Sequence, residues 1–232
     1  MFLSTGSRAA HLPTKAIYRK TDTFACALDP IRTGSNIILS NNNLTATCIA
    51  SLGVWQSATG TPSNYALWPL VYYETQINNF TPDMFPIGVC QSIFGAVAPY
   101  NYVNSYYLGQ DASAWGLYTN GTWYFGASIS STFHVTGHNG DVYALALDQT
   151  NGFLWARNVT QNEQWNGTYF GPTADPYTQV GSVNYQGYFN QRTLHPGCSL
   201  FTAGNSVTFN FDGPFVGKVP RNYRTWRGRP IP

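Results

Sequence analysis

Apolar and polar positions along this chain alternate over short distances. Nowhere do apolar residues recur at i, i+3, i+4 and i+7 over three turns, the spacing that lets a helix bury one face. Short alternating or continuously apolar runs stand between clusters of Asn, Gly, Thr, Pro and Ser, the pattern of strands joined by turns. Asn36–Ser40 reads as one strand, Asn41–Asn43 as its turn, and Leu44–Ala50 as the strand that pairs back. Val54–Ala58, Leu70–Asn78 and Phe85–Gln91 follow as further strands. Trp115–Tyr118 and Thr122–Phe125 flank Asn120-Gly121, a dipeptide suited to tight hairpins because both residues accept positive φ. Val142–Asp148 and Phe153–Asn158 flank the turn QTNG at 149–152. Cys198–Thr202 and Val207–Phe211 close the set. In the last run Val207, Phe209 and Phe211 share one face, with Thr208 and Asn210 on the other. At least ten short strands and no crossover helix predict an all-β fold, an antiparallel β-sandwich of two sheets in one domain.

Composition adds a constraint on setting. Of 232 residues, 43% are hydrophobic and 16% aromatic, ample for a core. Charged residues make up only 9%, against about 25% in ordinary soluble domains. Such a surface is covered by Asn, Thr, Ser and Gln or lies within an assembly.

The charge is also unevenly placed. Residues 1–21 carry Arg8, Lys15, Arg19 and Lys20 without an acid, and residues 218–232 carry Lys218, Arg221, Arg224, Arg227 and Arg229 without an acid. The stretch 22–217 holds all ten acids and three Arg, a net charge of −7. The chain therefore parses into an N-terminal basic arm (1–27), a body (28–215) and a C-terminal basic arm (216–232). Apolar residues interleave with the charges, Trp226 among them, so both arms are expected to dock on an acidic partner.

Tests for chemistry come out negative. There is no G-x-S-x-G, no phosphate-binding Gly-rich loop and no CxxC, so no catalytic residue, metal site or cofactor is expected. Glu74 has no acid two or four residues further along its strand, so it reads as a structural group for backbone or Tyr hydroxyls. His134 and His138 lie in a strand and turn and do not converge on one ion. Cys26, Cys48, Cys90 and Cys198 read as buried free thiols. The N-terminus has no apolar core for a signal peptide, and no apolar run reaches the roughly 20 residues of a membrane span. Two aromatic clusters, Tyr100, Tyr102, Tyr106 and Tyr107 in one connection and Trp165, Tyr169 and Phe170 in another, are candidate ligand loops.

One run carries a resemblance. Gly140, Asp141, Val142, Asp148, Gly152 and Trp155 lie in GDVYALALDQTNGFLWARN, which resembles the core hairpin of SPRY (B30.2-like) domains. The blocks NIILSNNNLTATCIASLGVWQSATG, LGQDASAWGLYTNGTWYFG and HPGCSLFTAGNSVTFNFDGPF, with Tyr72-Tyr73-Glu74 between the first two, are similar to the SPRY-like domains of bacteriophage virion proteins. The resemblance covers about 28–215 and implies a concanavalin-like jelly roll that binds rather than catalyses. It further implies a structural protein of a bacteriophage virion, a capsid or tail decoration made in the host cytoplasm. Its partners would be other virion proteins or copies of itself, with nucleic acid disfavoured. The alternative is a receptor- or glycan-binding module that recognises the host surface.

Overall fold

The computed structural model describes residues 26–63, 67–80, 85–91, 102–126, 128–132, 134–168, 171–185 and 194–231. The strands are β1 (Leu28–Thr33), β2 (Ile37–Ser40), β3 (Thr45–Cys48), β4 (Gln56–Gly60), β5 (Leu70–Asn79), β6 (Pro86–Gln91), β7 (Ala114–Tyr118) and β8 (Thr122–Phe125). They continue with β9 (Ser128–Thr132), β10 (Val142–Asp148), β11 (Phe153–Asn158), β12 (Val183–Asn184), β13 (Leu194–Leu200), β14 (Ser206–Asn210) and β15 (Arg224–Thr225). One sheet runs β1-β4-β13-β6-β7-β8-β9, and the other runs β12-β11-β10-β5-β14-β3-β2 with β15 added beside β5. Every pairing is antiparallel except that of β15 with β5. The sandwich expected from the strand pattern is what forms.

Turn chemistry sets the hairpins. Asn41, Asn42 and Asn43 all take positive φ between β2 and β3, a conformation Asn tolerates better than most residues. After β10 the Asp148 carboxylate accepts the amides of Thr150 (3.0 Å) and Asn151 (3.1 Å), and Gly152 at φ 68° completes the reversal into β11. Between the sheets lie Tyr73, Ile77, Leu145, Leu147, Leu154, Val207, Phe209, Phe211 and, from the opposite sheet, Ile87, Val89, Trp115 and Trp123. The Tyr73 hydroxyl crosses the core to donate to the Gly88 carbonyl at 2.8 Å.

Each sheet is also covered on its outer face. Strands β4, β6, β7, β10 and β13 are buried at every position. Over the first sheet lie residues 102–113 of the Tyr-rich connection, where the Ser57 hydroxyl reaches the Tyr106 carbonyl at 2.7 Å and the Ser199 hydroxyl takes the Leu108 amide at 2.9 Å. Over the second lie Val159, Trp165 and Ala174 and the chain after β14, packed on Tyr72, Ala144, Ala146 and Trp155.

Several sequence expectations change. The strand expected at Cys198–Thr202 begins at Leu194, running through Pro196 and Gly197, residues that read as turn formers. β1 was missed because its LDPIRT buries only Leu28 fully and carries a Pro. The last expected strand ends at Asn210, though Val207, Phe209 and Phe211 all face the core as the alternation required.

Candidate functional site

The expected C-terminal arm is part of the folded body. After Asn210 the chain crosses the outer face of the second sheet and returns as β15, which pairs in parallel with Val71 and Tyr72 of β5. This slot exists because β14 leaves β5 at Glu74, so the first residues of β5 would otherwise lack a neighbour on that side. Glu74, 1% exposed, fastens the crossing: its carboxylate accepts the amides of Val216 (2.9 Å) and Gly217 (2.7 Å) and the Tyr72 hydroxyl (2.7 Å). Burial together with that neighbouring carboxylate pushes the Tyr72 phenol up well beyond its usual range.

Four of the residues expected to dock on a partner make contacts within the fold. Trp226 is buried between the sheets, edge-on to Tyr73 at 5.1 Å, with its indole N–H donated to the Thr61 carbonyl at 3.0 Å. The Arg224 guanidinium lies 4.2 Å from the Trp68 ring centre. Arg227 pairs with Asp212 at 2.8 Å and Arg229 stands 3.6 Å from the same carboxylate. Arg224, Trp226 and Arg227 are corrected from docking groups to packing groups, because the apolar residues that interleave the charges are drawn into the core, while Arg229 stays exposed at its edge. Arg8, Lys15, Arg19 and Lys20 lie outside the described residues.

Lys218 and Arg221 also stay exposed, and they meet one of the expected ligand residues, Trp165. Together they border an open cleft of about 260 Å³. Its floor is Arg157 on β11, whose guanidinium lies 4.5 Å from the Trp165 ring centre and donates from Nη2 to the Lys218 carbonyl at 3.1 Å. Val219 and Pro220 continue the wall begun by Lys218.

The facing wall is a small hairpin in which Asp175 and Val180 exchange backbone hydrogen bonds of 3.0 and 3.2 Å. It carries Tyr177, 46% exposed, whose ring centre lies 5.6 Å from the Arg221 guanidinium. Asp175 is the carboxylate in this wall, and it accepts the Tyr177 amide at 2.9 Å. The loop is held from below. Asn166, fully buried at φ 53°, accepts from the Ala156 amide (2.8 Å) and donates to the carbonyls of Leu154 (3.1 Å) and Gly181 (2.8 Å). Trp155 adds an indole hydrogen bond to Val180 at 2.9 Å.

Sequence reading missed Arg157, Asp175 and Tyr177. Arg157 left a signal, standing two residues after Trp155 and so on the same outward face of β11. The hairpin at 175–180 left none, since its residues show no strand period.

The other expected ligand residues do not join this cleft. Tyr106 and Tyr107 are half-buried on the outer face of the first sheet, where Tyr107 packs against Trp55 (5.3 Å), Tyr118 (5.8 Å) and Tyr124 (6.1 Å). The backbone of Tyr102 opens a 3-10 turn there. Tyr100 and Tyr169 lie outside the described residues.

Groups with reactive chemistry sit in structural roles. All four thiols are free and buried, and desolvation pushes Cys26, Cys90 and Cys198 up to about 12, where a thiol is a poor nucleophile. His195 is buried with Nδ1 at 2.7 Å from the Gly60 carbonyl; burial, helped by the Arg32 charge, lowers it to about 4. His134 pairs with Glu163 at 3.0 Å, while His138 lies 3.6 Å from Asp141. Among the described residues no three His, Cys, Asp or Glu side chains come together as a metal site.

The sequence matches no protein-family model and no curated relative. Solved structures are informative. The SPRY domain of human HERC1 superposes with a TM-score of 0.53 at 12% identity, covering 79% of this chain and 97% of that domain. The TRIM65 PSpry domain gives 0.54 at 15% identity, covering 79% of this chain and 89% of that one. A further human SPRY domain gives 0.50 at 14% identity over 78% and 98%. The fold is that of a SPRY domain. The hairpin expected from GDVYALALDQTNGFLWARN forms as β10–β11, with Asp148 and Gly152 at its turn. In this SPRY-like sandwich the cleft is built on the outer side of that hairpin, from β11, the loop that follows it and the chain after β14. Among the described residues no helix is long and apolar enough to cross a membrane.

Proposed function

We propose that this chain is a non-enzymatic binding protein that holds a protein partner at the Arg157–Trp165–Arg221 cleft and serves as a structural part of a bacteriophage particle, a capsid or tail decoration. The carrying observation is that Arg157, Lys218 and Arg221 converge on one cleft without an ion pair among the described residues, while Arg227 and Arg229 of the same segment share Asp212. Cations gathered in one cleft without acidic partners among the described residues favour an external anionic partner. The virion setting is favoured by the 9% charged composition and by the similarity of the sequence blocks to phage SPRY-like domains. The non-catalytic reading is supported by thiols and a histidine held in forms unsuited to nucleophilic or acid–base work near neutral pH.

The test is incorporation into particles. In the virus that encodes this chain, Lys218→Glu with Arg221→Glu should lower the copy number per purified particle at least about tenfold, since charge reversal converts attraction into repulsion. Unchanged copy number would overturn the reading. A second reading, recognition of a host glycan, is favoured by the half-buried rings of Trp55, Tyr107 and Tyr124 clustered on buried Tyr118. Tyr107→Ala would remove glycan-array signal under that reading and leave incorporation untouched.

A further inference from the structure

We infer that the cleft receives a carboxylate-bearing peptide segment, acidic side chains alternating with aliphatic ones, with Arg221 and Lys218 as its anion contacts. This rests on the proposed function and names the chemistry of the partner. The cleft carries three cations against Asp175, so its local field is positive.

The two arginines are set in place before any ligand arrives. Arg157 lies against Trp165 and is tied to the Lys218 carbonyl, and Arg221 lies against Tyr177. A guanidinium backed by a ring presents its planar fork of donors at little further entropy cost, and that fork matches a carboxylate. The Arg157 Nε is buried without a hydrogen-bond partner, so its charge is under-satisfied at the cleft floor.

Other anionic occupants fit less well. Sugar rings stack on open aromatic faces, whereas a guanidinium already lies over Trp165 and Tyr177. A nucleic-acid strand follows an unbroken positive groove, and Asp175 interrupts this one. A peptide places its charges at intervals, and Val219 and Pro220 offer contact to aliphatic side chains between them. A volume of about 260 Å³ admits one or two side chains of a chain lying across the opening.

The probe is a short fluorescein-labelled peptide alternating Glu with Val, followed by anisotropy against the full chain at about 50 mM salt, where screening is weak. Saturable binding is expected, at least about tenfold weaker for Lys218→Glu/Arg221→Glu, and absent for the matched Gln–Val peptide. Both substituted residues are exposed, so the variant should melt as the parent does. If it does not, the Gln–Val comparison and the loss of binding at about 0.5 M salt decide the matter on the parent chain alone. Equal binding of the Gln–Val peptide, or displacement by a sialylated oligosaccharide or oligothymidylate at lower concentration than by unlabelled Glu–Val peptide, would overturn the inference. If the Glu–Val peptide fails to bind while particle incorporation still falls in the double variant, this inference falls and the proposed function stands. Peptide binding with unchanged incorporation leaves the inference standing and removes the virion role.

Discussion

Replacing Glu74 by Gln perturbs the joint between the sandwich and its C-terminal crossing. The native carboxylate accepts from three donors, Tyr72 Oη and Gly217 N at one oxygen and Val216 N at the other. A Gln side chain keeps one acceptor oxygen and places an NH2 group at the other position. In its better orientation the amide oxygen serves Tyr72 and Gly217, and its NH2 faces the Val216 N–H, donor against donor. Losing that bond costs about 1–2 kcal/mol, and converting the other two from charge-assisted to neutral bonds costs about 1 kcal/mol more. Easier desolvation of a neutral amide offsets part of this, leaving a net loss of about 2 kcal/mol. With a urea m-value of about 2 kcal/mol/M, the midpoint should fall by about 1 M, read by circular dichroism. A lower m-value in the variant would show the segment already detached in the native state. A midpoint within about 0.2 M of the parent would refute the claim that Glu74 holds the crossing in place.

Asn166→Ala removes three buried hydrogen bonds and puts Ala at φ 53°, so the domain should lose about 3 kcal/mol and hydrogen exchange should rise across 174–182. Gly88→Ala would set a Cβ 2.0 Å from the Trp115 carbonyl oxygen in a core sheet, and a loss of several kcal/mol or a failure to yield soluble protein is expected. His195 has a folded pKa of about 4 against about 6.5 unfolded, so the unfolded state binds more protons between these values and stability falls as pH drops through that window. The loss is on the order of 3 kcal/mol by pH 4, and His195→Asn should flatten the slope of urea midpoint against pH between about 6 and 4.

The sandwich was legible because turn residues and strand runs are local signals. Asn41–Asn43, Gly121 and Gly152 mark reversals by their positive φ, and the strands between them follow. The alternation of Val207, Phe209 and Phe211 placed one face of β14 correctly. β4 and β13 were harder, since both of their faces are buried, one under the core and one under the Tyr-rich connection. Their sequences, QSATG and LHPGCSL, therefore show no period to read.

The cleft was half legible. Lys218, Arg221 and Trp165 stood out by type, but on separate grounds, and nothing local said that the chain after β14 crosses back to the loop after β11. The same stretch misled about Trp226. Basic residues around aromatic ones fit a free arm as well as a strap whose rings go inward, and a vacant position beside Val71 and Tyr72 decides between them.

The most direct measurement is amide hydrogen exchange of the intact chain, resolved at Thr225 and Trp226. Their N–H groups donate to the carbonyls of Arg229 at 3.0 Å and Phe211 at 3.2 Å, beside a ring buried between the sheets. The account predicts protection there approaching that of β14. Exchange at the rate of an unstructured peptide would contradict it, because a free tail could not form the wall that brings Lys218 and Arg221 to Trp165.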